Sequence, residues 1–146
     1  MIISELNNIQ LGNYAESLMK IEFMRYGMEV YSSEVDDRGI DFVVGHKNHY
    51  YAIQVKSSRG LNYIYFHKDK FQLRDNLMAA IVLFEGEIPN FYLVPSTRWN
   101  APDRLFVDKD YVNKTSKPEY GLNLSKRNLN LLELYAFDKS YREIFG

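Results

Sequence analysis

The run Leu77-Met78-Ala79-Ala80-Ile81-Val82-Leu83-Phe84 is the longest stretch of uninterrupted apolar residues in the chain. Eight residues are far short of the roughly 20 needed to cross a membrane as a helix. The part from Ala79 to Phe84 reads instead as a strand covered on both faces, because a strand with one wet face would alternate apolar and polar side chains. A chain of 146 residues built around such a strand is most simply one domain, 1–146, with layers packed on either side of a sheet.

The elements around this strand support a mixed α/β order. Helix formers dominate from Asn13 to Tyr26, with Gly12 or Asn13 at the start and Gly27 as the stop. The apolar residues of that helix form two stripes, Tyr14/Leu18/Ile21 and Met19/Phe23, which predicts neighbours on more than one side. Met28 to Tyr31 should form the first strand. Residues 40–44 and 50–57 should pair as an antiparallel hairpin around His46-Lys47-Asn48-His49. Further along, Tyr63 to Phe66 reads as a short strand, Lys68 to Asn76 as a helix and Phe91 to Val94 as a strand closed by Pro95. Strand-like pieces follow at Leu105 to Val107 and Tyr120 to Leu124. Ser125 is placed to cap a helix through Leu129 and Tyr135, and Lys139 to Phe145 to add a terminal turn.

Register carries the functional argument. With the four-residue connection His46 to His49, Gly45 faces Tyr50, Val43 faces Ala52 and Asp41 faces Gln54. Directly opposed Cβ atoms lie about 4.5 to 5.5 Å apart, so the oxygens of Asp41 and Gln54 can share one small cation. Lys56 follows on the same face, while Ile53 and Val55 point to the other. Oxygen ligands beside an ammonium group suit a metal-assisted attack on phosphate. Read singly, Asp41 is also a turn residue, Gln54 an exposed strand residue and Lys56 an edge charge. Asp36 and Asp37 are rival ligands, placed in the turn before the strand, and His46 and His49 fall at the hairpin tip.

The absence of cysteine leaves oxygen and three histidines as the available metal ligands. A net charge of −1 does not advertise a nucleic-acid partner, yet the basic residues are clustered. Lys47, Lys56, Arg59, Lys68, Lys70 and Arg74 lie between positions 46 and 74 with Asp69 as the sole acid. Such a block can track a phosphate backbone or serve as a solvated face. Tyr50, Tyr51, Tyr63 and Tyr65 accompany it; stacking on bases is open to them, and core packing is the commoner role. The N-terminus lacks a basic leader-like region, so a soluble, cytoplasmic protein is expected.

Helix, strand, Gly39-Ile40-Asp41 and Gln54-Val55-Lys56 together resemble the PD-(D/E)XK nucleases, a superfamily that includes restriction enzymes, Holliday-junction resolvases and some homing endonucleases. Within it the chain is most similar to small bacterial endonuclease-like proteins with glutamine at the second acidic position. The similarity covers the first 57 residues and touches Phe91 to Pro95 with Trp99. The resemblance implies a restriction-endonuclease-like α/β fold, a three-layer core with a central mixed sheet flanked by helices. It also implies a DNA endonuclease dependent on Mg²⁺ or Mn²⁺. Asp41 matches the metal-binding aspartate, Gln54 the usual Asp/Glu, and Lys56 the lysine that orients water or neutralises charge on the phosphorane. Glu16 matches a glutamate that resolvase-like members add to the site, directly or through water. Ile40 stands where the motif has proline. Arg59, Lys68, Lys70 and Arg74 would then contact DNA, and cutting both strands would call for a homodimer. The alternative is a nuclease fold that has lost chemistry and kept a nucleic-acid or protein surface.

Overall fold

A computed structural model describes residues 3–32 and 39–146. The chain begins with a 3-10 turn at Ile3–Glu5 and helix α1, Asn8–Arg25. The strands are β1 (Glu29–Ser32), β2 (Phe42–His46), β3 (His49–Arg59), β4 (Tyr63–His67), β5 (Leu77–Phe84), β6 (Asn90–Pro95), β7 (Phe106–Lys109) and β8 (Glu119–Asn123). The short helix α2 (Leu129–Leu132) and α3 (Phe137–Phe145) complete the chain.

Five strands form the central sheet in the order β1-β2-β3-β5-β6. β3 and β5 run parallel and the other pairs antiparallel. Every residue of β5 is buried, as its unbroken apolar run requires of a strand covered on both faces. One face carries Phe42, Val44, Ile53, Ala80 and Val82 against Leu11, Ala15, Met19 and Phe23 of α1 and Phe137 and Phe145 of α3. The other face carries Ala52, Ala79, Ile81 and Leu83 against Phe66, Phe71, Trp99, Phe106 and Leu122. That second layer is mostly a three-stranded sheet, β4-β8-β7, with α2 beside it. Trp99 is its centre, ringed by Phe66, Phe71 and Phe106, with its indole N–H donated to the Gly121 carbonyl at 2.9 Å. Truncating such a side chain typically costs ~3–5 kcal/mol.

The hairpin has the predicted register: Gly45 pairs with Tyr50 and Val43 with Ala52. Its turn is tighter than four residues. His46 and His49 are themselves paired, and Lys47 and Asn48 turn the chain at φ 50° and 65°. Two successive left-handed residues match the twist of a two-residue hairpin, and asparagine tolerates that conformation well.

Several local expectations are corrected. α1 starts well before Asn13, because Asn7 and Gln10 form a reciprocal capping box that satisfies its first amides. Ile21 and Met24 are exposed, so the helix buries one stripe rather than several. The segment from Lys68 to Asn76 is a single 3-10 turn, Lys68–Lys70, followed by irregular chain. Phe71 and Ser96 explain why: Phe71 is drawn into the Trp99 cluster, and the Ser96 hydroxyl bonds both the amide and the carbonyl of Arg74 at 3.0 and 2.7 Å. These backbone groups are therefore engaged across the fold rather than along a helix. Ser125 makes no side-chain cap, and the stretch after it alternates 3-10 and α turns until Ala136. The terminal turn is a full helix, α3.

Candidate active site

The site lies on the sheet face opposite α1. Alternation puts Ile53 and Val55 toward α1, and Gln54 and Lys56 toward the second layer, beside Ala79 and Ile81 of β5. Asp41 immediately precedes β2. The regular ladder ends at Phe42 and Ile53, and there the Asp41 amide donates to the Ile53 carbonyl at 2.9 Å. The Asp41 carboxylate in turn accepts the Val55 amide at 2.6 Å. Asp41 is thus fixed against the segment Ile53 to Val55, although it is not a regular ladder partner of Gln54.

Gln54 carries an unusual burden. Its side-chain carbonyl oxygen is buried and meets no hydrogen-bond donor among the described residues. An orphaned acceptor of this kind costs about 1–3 kcal/mol. The Nε2 of His46 and the Nε of Arg59 are the other buried side-chain atoms left so among the described residues, and of the three only the Gln54 oxygen lies beside Asp41 and Lys56. Gly39 stands over it with φ +74°, where a Cβ would sit 3.3 Å from this oxygen and 2.9 Å from the Lys70 carbonyl oxygen. Only glycine fits there, and its lack of a side chain brings the Lys70 turn against Gln54.

The Lys56 amine is 5.5 Å from the centre of the Phe66 ring. Burial pushes its pKa down, and the negative Asp41 acts the other way. Glu16 sits on α1 and pairs with Lys20 at 3.4 Å. The Lys20 amine also lies 3.4 Å from the Ser32 hydroxyl and 5.7 Å from the centre of the Phe42 ring. Glu16 is therefore linked to the start of β2 from the helix side of the sheet. No group of three His, Cys, Asp or Glu side chains able to hold a metal occurs among the described residues. Oxygen at this site comes from Asp41 and the amide of Gln54, a donor set compatible with a hard ion that keeps several waters.

The predicted basic surface divides. Lys68 does not face few acids: it is held by Asp108 and by Asp110, the latter at 2.7 Å. Arg59 donates to the carbonyls of Ile3 and Leu6 and to Asn8, clamping the start of α1. Arg74 bonds the Gln72 carbonyl at 3.0 Å, and Lys70 is exposed beside the Gly39 turn. Asp36 and Asp37 lie outside the described residues. His46 packs on Tyr141 and Phe145, and Tyr51 also packs on Phe145. The hairpin register predicts Gly39 opposite Lys56, whereas Gly39 stands over Gln54 and the Lys70 turn; the part of Lys20 had no local signal in the sequence.

No protein-family model matches the chain, and no curated protein matches it. Solved structures do. The Holliday junction resolvase Hjc of Archaeoglobus fulgidus superposes with a TM-score of 0.58 at 15% identity, over 88% of this chain and 93% of the resolvase. The bacterial homing endonuclease I-Ssp6803I gives 0.58 at 16% identity, over 95% of this chain and 91% of the endonuclease. The chain has the restriction-endonuclease-like fold. The resemblance read from the first 57 residues thus holds for the fold of nearly the whole chain. No described helix is long and apolar enough to cross a membrane.

Proposed function

We propose that the protein is a metal-dependent DNA endonuclease that hydrolyses phosphodiester bonds, forming one P–O bond to water and breaking one ester P–O bond. The observation that carries this reading is the buried Gln54 carbonyl oxygen, without a donor among the described residues, on the same face as Lys56. Asp41 and Gln54 would hold Mg²⁺, and Mn²⁺ as a substitute, while Glu16 stays with Lys20 on the helix side of the sheet. Bound there, such an ion supplies a more acidic water and positive charge at phosphate. Lys56 places an ammonium where charge develops on the phosphoryl oxygens, in a partly dry setting that strengthens the interaction. The Val55 amide keeps Asp41 oriented. Lys70 and Arg74 would track the phosphate backbone, with Arg59 and Lys68 contributing less because each already has protein partners. Cleavage of both strands implies a symmetric homodimer.

The test is incubation with linear, single-stranded, nicked and branched DNA in Mg²⁺ or Mn²⁺, with Lys56→Ala as the control. Metal-dependent cleavage lost in Lys56→Ala supports the reading; equal cleavage by both proteins refutes it. A second reading, a nuclease fold that binds nucleic acid without cutting it, is favoured by the want of three metal-binding acids or histidines among the described residues. It requires DNA binding unaffected by chelator and no cleavage by the parent.

A further inference from the structure

The face that carries Gln54 and Lys56 continues to the free edge of the sheet. There Tyr31 of β1 and Tyr50 of β3 lean together over Gly45 of β2, their ring centres 6.1 Å apart and their planes at 56°. Alternation fixes the face: positions 50, 52, 54 and 56 of β3 point one way, and Gly45 lies opposite Tyr50. A Cβ at Gly45 would lie 3.3 Å from each ring, so the glycine is the floor on which both rings rest. Despite that contact, Tyr31 is 44% and Tyr50 58% exposed. The Tyr31 hydroxyl donates to Glu29, which holds its ring in place.

We infer that the Tyr31–Tyr50 pair is a stacking platform for an unpaired base of a nucleic-acid strand whose backbone continues to the Gln54 and Lys56 row. The inference rests on the nuclease reading and names its substrate class: DNA with unpaired bases next to the phosphate that is cut. From Tyr50 to Gln54 is about 13 Å of strand, a distance of a few nucleotides. Bases in an intact duplex are stacked on each other and do not offer a face to rings lying on a sheet, whereas any unpaired base does. Charge fits the same occupant: Lys47 in the hairpin turn lies at one end of this path, and Lys56 and Lys70 lie at the other. Glu29 opposes it, and the Tyr31 hydroxyl engages that carboxylate.

The experiment measures binding in chelator, so that cleavage plays no part. The probes are a continuous DNA duplex and the same duplex with a short single-stranded gap containing 2-aminopurine. The parent should prefer the gapped probe and quench its fluorescence. Tyr31→Ala with Tyr50→Ala should weaken gapped binding by about tenfold or more and leave duplex binding nearly unchanged, while Tyr50→Phe behaves as the parent. Each single alanine variant is measured beside the double one, with thermal melts to verify folding. The inference is overturned if the folded variants bind gapped DNA as tightly as the parent, or if the parent shows no quench. Conversion of a dimer to a monomer in the variants would instead assign the pair to contact between copies. A parent that binds duplex and gapped DNA equally, or binds neither, sinks this inference alone; the nuclease reading falls only if metal-dependent cleavage is equal in the parent and Lys56→Ala.

Discussion

The Asp41 carboxylate accepts the amide of Val55, the residue between Gln54 and Lys56, at 2.6 Å. Its orientation is thereby set by the backbone of the strand that carries the other two site residues. Asp41→Asn retains a side-chain oxygen able to accept that amide, so the fold should survive. It loses the only full negative charge that Asp41 brings. Cleavage should fall by ~10²-fold or more while a thermal melt shifts little. A variant that cuts like the parent would remove Asp41 from the site.

Lys56 should be a residue that the fold tolerates at a cost. Its pKa lies below the ordinary lysine value because burial disfavours the charged form. Between the folded and unfolded pKa values the unfolded chain binds more protons, so stability should rise with pH as Lys56 loses its proton. Lys56→Met removes the cost and keeps the bulk. It should lose cleavage while the fold holds in a thermal melt. A melt series from neutral pH to about pH 10 should show the pH-linked rise shrink in the variant.

Lys70 and Arg74 differ from Arg59 in what they hold. Lys70→Glu with Arg74→Glu should weaken DNA binding across sequences and flatten its dependence on salt, with folding little changed. Arg59→Leu strips the hydrogen bonds from the carbonyls of Ile3 and Leu6 and should lower stability by about 1–3 kcal/mol in a urea titration. Its DNA affinity should change much less than that of the double variant. The reverse pattern would make Arg59 a DNA contact first.

Gly121 gives the small sheet its shape. A Cβ there would sit 2.0 Å from the Tyr63 hydroxyl oxygen, which donates to the buried Glu119. Burial and the Glu119 carboxylate together raise the Tyr63 pKa, keeping the phenol protonated in its role as donor. Gly121→Ala should therefore displace Tyr63 and cost about 1–3 kcal/mol by denaturant unfolding. Tyr63→Ala combined with Gly121→Ala should cost less than the sum of the two changes, since the Tyr63 ring as well as its hydroxyl stands against Gly121.

Local and periodic features are legible along the chain. Alternation placed Gln54 and Lys56 on one face and Ile53 and Val55 on the other, and the hairpin register followed from the chain around Lys47 and Asn48. The unbroken apolar run made β5 a strand buried on both sides. Packing of the layers set whatever depends on partners distant in the chain. It put β4, β7 and β8 into a second sheet, turned the expected helix after Lys68 into irregular chain, and paired Lys68 with Asp108 and Asp110. It also brought Gly39, Gln54 and Lys70 together, leaving a buried carbonyl oxygen without a donor among the described residues. Backbone alternation and turn preferences act over a few residues and can be read along the chain. Burial, ion pairing and hydrogen-bond satisfaction depend on which surfaces meet, and that is settled only when the layers pack.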